Sequence, residues 1–157
     1  MDKLPVVLAM LALMVATEVA SAADQLEGAY ARVSLTNTRT GDSPEALNRQ
    51  GLLILAHGHY AMMTQNPDRT VLTRDEQEAL APDAEVQFLR EWLDINAHSG
   101  RYEVSNGRLI WHREISEDPK EVGTTSNLAY RVDDDRLILS FELPNGDRYD
   151  WVWRQID

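Results

Sequence analysis

Four histidines carry whatever acid–base or metal chemistry this chain could perform, because it has no cysteine and imidazole titrates near neutral pH. His57 and His59 have the spacing of two metal ligands on one strand face, but they flank Gly58 in a segment that reads as a hairpin turn. Two histidines with no cysteine or third histidine beside them seldom hold a metal, so no metal site is expected. His98 and His112 lie among strand patterns, where each could act as acid or base in a cavity or simply make one hydrogen bond. His98 shares parity with Tyr102, whereas His112 has the opposite parity to Trp111, so without a bulge His112 and Trp111 cannot both face inward. The carboxylates have structural readings. Asp133-Asp134-Asp135 forms a turn, Glu117-Asp118 a loop, and Asp75, Glu76 and Glu78 a helix start, where negative charge suits the macrodipole. No Gly-rich phosphate loop, nucleophile elbow or zinc spacing is present, which leaves the common hydrolase, nucleotide-binding and metalloprotease classes without their signatures and implies no cofactor.

The stronger pattern is aromatic. Tyr102 and Val104; Leu109, Trp111 and Ile115; Leu128, Tyr130 and Val132; Leu137, Leu139 and Phe141; and Tyr149, Trp151 and Trp153 each recur at even spacing, so each set shares one face of a strand. In a barrel of about eight strands, such a face either fills the interior or encloses one small ligand.

The elements that must position these residues follow from the period-two pattern and the turn residues that interrupt it. Strands are expected over residues 28–36, 52–56, 60–64, 99–104, 108–115, 123–132, 137–143 and 148–156. Gly58 can supply the positive φ of a tight turn, and Ser105-Asn106-Gly107 is a strong hairpin signal. Residues 41–50 form a polar loop. Residues 73–96 break the pattern: Thr73-Arg74-Asp75-Glu76 reads as a capping box, and Val86, Leu89 and Leu93 with Phe88 and Trp92 recur at helical spacing. Pro82 should divide this stretch into two helical pieces, with Asp83 placed to cap the second. The expected fold is all-β: an eight-stranded antiparallel up-and-down barrel with one helical segment between strands 3 and 4. A Greek-key sandwich, using the helical segment as a crossover, is the alternative.

Lys3 precedes an apolar run over residues 4–16 and then Ala20-Ser21-Ala22, the pattern of a secretory signal cleaved between Ala22 and Ala23. The run falls short of the roughly 20 apolar residues that span a bilayer. The chain therefore divides into a signal peptide, 1–22, and one domain, 23–157, expected to be periplasmic or secreted, with no membrane insertion after cleavage. Asp2, Lys3 and Glu18 of the signal sum to minus one, leaving minus ten of the chain's net charge of −11. Such an acidic surface argues against nucleic acid or anionic lipid as a partner.

Several segments then carry a resemblance. Gly28-Ala29-Tyr30 is similar to the Gly-x-Trp signature of lipocalins, with tyrosine for tryptophan. Gly51-Leu52-Leu53-Ile54, Gly58-His59-Tyr60-Ala61-Met62, Gly100-Arg101-Tyr102-Glu103-Val104, His112 and the stretch from Pro119 to Gly123-Thr124 resemble, in the same order, the bacterial and fungal lipocalin-like domain family. The resemblance covers nearly all of the chain after the signal. It implies a calycin-type barrel with a helix near one end and a role in binding small apolar molecules. It also implies that Arg154, on the last strand, packs over Tyr30 as a structural cation–π closure of the barrel. Where family members often carry two adjacent histidines, this chain has Trp111-His112, so chemistry relying on the first is not carried over.

Three functions fit these residues. A carrier or sensor would hold a small apolar or aromatic molecule against Tyr102, Trp111, Tyr130, Phe141, Trp151 and Trp153, with His112 as a polar anchor. A barrel enzyme performing cyclisation, isomerisation or hydration would additionally need His112 or His98 inside, beside a carboxyl or tyrosine. A filled barrel would work through an exposed apolar patch on its outside. The first is preferred.

Overall fold

The computed structural model describes residues 23–43 and 49–156; the expected signal peptide lies outside the described residues. Alternating side chains lay down eight strands: β1 (Gly28–Asn37), β2 (Gln50–Ala56), β3 (His59–Gln65), β4 (Ile95–Ser105), β5 (Arg108–Ser116), β6 (Thr125–Asp133), β7 (Arg136–Glu142) and β8 (Arg148–Ile156). Each pairs antiparallel with the next, and β8 returns to β1, closing an up-and-down barrel. Closure removes the edges that an open sheet would expose. The helical segment joins β3 to its own hydrogen-bonded neighbour β4, so it is not the crossover that a sandwich would need.

The connections differ sharply between the two ends of the barrel. At one end sit tight hairpins: His57 and Gly58, and Asn106 and Gly107, have φ of 49°, 75°, 51° and 70°, the positive values of turns matched to strand twist. A short 3-10 turn, Asp24–Leu26, plugs this end. Leu26 is buried, and its carbonyl accepts a 2.9 Å hydrogen bond from the Tyr30 hydroxyl. Above the plug, Leu53, Leu55, Tyr102, Leu109, Leu137, Leu139 and Trp153 pack into one apolar cluster. The other end carries the longer connections, including the helical segment.

That segment comprises α1 (Arg74–Glu78) and α2 (Pro82–Leu93). Thr73 and Glu76 form the expected capping box, with the Glu76 carboxylate accepting from the Thr73 backbone N–H at 2.7 Å. The expectation for Asp83 is corrected: Ala81 occupies the N-cap of α2 without a side-chain bond, because Pro82 starts the helix and leaves Asp83 inside the first turn. No residue of α2 is buried, so its apolar spacing does not build core; Leu89 and Leu93 are exposed. Trp92 instead donates to the Thr70 carbonyl at 3.0 Å and lies under the Arg69 guanidinium. No helix among the described residues is long and apolar enough to cross a membrane.

Two register shifts decide which side chains enter the lumen. One lies in β1 between Arg32 and Ser34, the other where β4 meets β5 between Ser99 and Gly100. The second turns Ile115 outward, against its expected inward face, and it is 68% exposed. Val132, at the hairpin end of β6, is also exposed. Gly100 makes the β4–β5 shift possible, since a Cβ there would overlap the His112 carbonyl oxygen and lie 2.8 Å from the Glu114 amide nitrogen. Gly100→Ala should therefore destabilise the fold by about 1–3 kcal/mol, as overpacking does in other tight sites. Urea unfolding checks this; an unchanged midpoint would contradict the assigned role.

Candidate ligand cavity

Toward the end with long connections, the lumen widens into a cavity of about 520 Å³. That lies within the range of small-molecule sites, roughly 300–1,000 Å³. Its aromatic wall is built by residues of matching parity on three strands. Trp111 of β5 meets Trp151 of β8 edge to face, with ring centroids 6.5 Å apart, and Phe141 of β7 meets the same indole at 6.4 Å. Leu35, Leu128 and Leu143 extend the apolar surface.

A polar cluster stands on the β4 side. His98 is buried and lines the cavity. Its Nδ1 lies 3.0 Å from the Tyr60 hydroxyl, and the Tyr60 ring stacks on Trp111 at 4.8 Å with planes only 10° apart. Burial, reinforced by the Arg113 guanidinium, holds His98 down at about 4, while burial pushes the Tyr60 hydroxyl up to about 12. Both groups are therefore neutral across the physiological range, which suits a fixed hydrogen-bonded pair better than proton transfer at neutral pH.

Three arginines also line the cavity. The Arg32 guanidinium sits 5.7 Å from the centre of the Trp151 ring. Burial, and then the neighbouring Arg49 charge, lower Arg32 to about 10. Arg49 is anchored at the rim: it donates to the Asp94 carboxylate and carbonyl, both at 2.7 Å, and to the Thr64 carbonyl at 3.2 Å. Those bonds tie the end of α2 to the barrel. Arg113 faces Glu121 at 3.2 Å and donates to the Thr124 hydroxyl at 3.2 Å. Glu142 also lines the cavity and accepts from Arg148 at 2.8 Å.

Of the residues expected to line a cavity, the structure brings Trp111, Phe141 and Trp151 together on its wall. Tyr102 and Trp153 are buried in the packed cluster nearer the plug, and Tyr130 packs against that cluster. They face inward, but into the filled part of the lumen. His112 is corrected: strand alternation turns it out of the barrel, where its Nε2 lies 3.6 Å from Glu103 and its Nδ1 is 3.3 Å from the Thr125 hydroxyl. The closure expected from Arg154 is corrected too. Tyr30 is buried, whereas Arg154 is exposed on the face opposite Trp153, so the two cannot stack. The guanidinium resting on an inward aromatic ring is Arg32 on Trp151. His57 is exposed beside Glu27 at the plugged end, and His59 follows it there, also exposed.

Sequence reasoning missed the arginines. Arg113 shares parity with Leu109 and Trp111, and Arg32 with Tyr30, so the alternation that located the aromatic wall also pointed these cations inward. Arg49 precedes β2 and carries no such signal.

The chain matches no protein-family model, no curated protein and no solved structure. The class it can be given is that of its own geometry, a closed eight-stranded antiparallel barrel compatible with ligand binding.

The low value of His98 has a consequence for stability. An unfolded histidine takes a proton near pH 6.5, whereas His98 in the folded barrel does so only near 4. Its contribution is thus fully present above the unfolded value and is lost as pH falls from there toward 4, with a slope of at most about 1.4 kcal/mol per pH unit. Urea unfolding between pH 7.5 and 4.5 should show a flatter pH dependence in His98→Gln than in the wild type. Parallel curves would contradict the buried, neutral histidine.

Proposed function

We propose that this chain is an exported, lipocalin-like carrier or sensor that holds one small, largely apolar or aromatic molecule in the open half of its barrel. The observation that carries this reading is the cavity of about 520 Å³ walled by Trp111, Trp151 and Phe141 above a packed, plugged base. A site closed at one end buries most of a small ligand's surface while leaving it a way in. Export rests on the apolar run over residues 4–16 and on Ala20-Ser21-Ala22. The resemblance of the Gly28, Gly51, Gly58 and Gly100 segments to lipocalin-like domains supports the class.

The enzyme reading has one observation in its favour, the cavity-lining His98 hydrogen-bonded to Tyr60. A histidine at about 4 and a tyrosine at about 12 are poorly matched to acid–base work near neutrality, and this favours binding.

Expression of the full chain should yield a product whose mass begins at Ala23, and that product should bind the neutral probe N-phenyl-1-naphthylamine saturably, with energy transfer from tryptophan. Ser126→Trp, placed on the cavity wall, should weaken binding by about tenfold or more. Leu52→Ser, on the outer face, should leave binding unchanged. No uptake, together with self-association lost in Leu52→Ser, would favour a surface role for the exposed Leu52, Ile54 and Met63.

A further inference from the structure

One side of α2 is held and the other is left bare. At about 100° per residue, Phe88, Glu91 and Trp92 fall on one side of the helix. That side is pinned to the preceding segment: the Glu91 carboxylate accepts from the Thr70 hydroxyl at 2.7 Å, the Trp92 indole donates to the Thr70 carbonyl at 3.0 Å, and the Arg69 guanidinium lies 4.4 Å from the centre of the Trp92 ring. Val86, Leu89 and Leu93, spaced three and four apart, fall roughly opposite, and all three are exposed, Leu93 at 77%. An apolar stripe at this spacing is the seam along which two helices pack.

The charges beside the seam select its occupant. Asp83 and Arg90 are seven residues apart, so they lie on one line along the same flank of the stripe. Among the described residues, neither has an ion-pair partner. Two α2 helices packed antiparallel about a two-fold axis bring like flanks together. With the axis passing between residues 86 and 87, Arg90 of each copy meets Asp83 of the other, so both ion pairs close at once. The same axis sets Val86 against Val86 and seats Leu89 between Val86 and Pro82 of the second copy. A lipid surface fits poorly, because helices that lie on membranes carry basic flanks, whereas α2 has one arginine against Asp83, Glu85 and Glu91.

We infer that α2 is a self-association surface, which pairs antiparallel with α2 of a second copy through Val86, Leu89 and Leu93 and through two Arg90–Asp83 ion pairs. A seam of one 12-residue helix falls short of the roughly 800 Å² per partner of a standard stable interface. The dimer is therefore weak and reversible, with a dissociation constant on the order of 100 µM. At a net charge of −11 the two copies repel each other overall, so the pairing needs enough salt to screen the distant charges while the contacts at the seam persist. The inference is independent of the binding function proposed above, since none of these residues lines the cavity.

Sedimentation velocity of the protein obtained from the full chain, from about 5 to about 500 µM in roughly 150 mM salt, should show a reversible monomer–dimer equilibrium. Arg90→Glu leaves two acidic residues on each flank and Asp83→Lys two basic ones, so each variant alone should associate at least about tenfold more weakly. Mixed in equal amounts, the two should recover the wild-type association, because every flank contact in the mixed dimer again joins opposite charges. That recovery also reports that both variant helices are formed. Leu89→Ser should weaken association about tenfold, and neither charge variant should rescue it. A wild type that stays monomeric throughout, single variants that associate as the wild type does, or a mixture that stays monomeric would each overturn the pairing. Sedimentation of the wild type with phosphatidylcholine vesicles, lost in Leu89→Ser, would overturn it in favour of a lipid surface.

Discussion

A side chain pointing inward in a closed barrel of eight strands has no destination but the lumen, and that lumen is only wide enough to be packed or to hold one small molecule. This chain divides the two outcomes along the barrel axis. Toward the tight hairpins, Leu26 of the plug joins Tyr30 of β1 and Leu53, Leu55, Leu109, Leu137 and Leu139 in an apolar cluster. Toward the long connections, large aromatics stand against one wall, and arginines replace the aliphatic side chains that would otherwise fill the space. Cavity and core therefore depend on the same closure, and the bulges that set inward parity set the contents of both.

Much of this was legible beforehand because alternation is a local property. Hairpin residues such as Asn106-Gly107 and inward sets such as Leu137, Leu139 and Phe141 follow from period two and turn chemistry alone. Failures cluster where a non-local feature intervenes. Ile115 was misplaced because the β4–β5 register shift depends on Gly100 tolerating the approach of another strand, which no local pattern records. The pairing of Arg154 with Tyr30, implied by resemblance, ignored the alternation that puts Arg154 on the outer face next to the inward Trp153. Helical spacing in Val86, Leu89 and Leu93 identified a helix correctly, but periodicity does not say whether the apolar face will find a partner.

The site itself was half legible. Its aromatic wall follows from parity, and the same parity points Arg32 and Arg113 inward. His98 could not be placed, because its neutral, buried state depends on Tyr60 of β3 and Trp111 of β5, brought together only by pairing across three strands. The resulting site combines π-faces, a neutral hydrogen-bonded pair and buried guanidinium donors.

The central claim is that the open half of the barrel, and not the helix or the outer sheet, receives the ligand. Indole ¹⁵N–¹H spectra of the labelled protein, recorded while N-phenyl-1-naphthylamine is added, test it most directly, because the four tryptophans sample different places. The account predicts that the Trp111 and Trp151 resonances shift and saturate together while Trp92, on α2, stays still. Movement of Trp92 alone, with Trp111 and Trp151 unchanged, would contradict it.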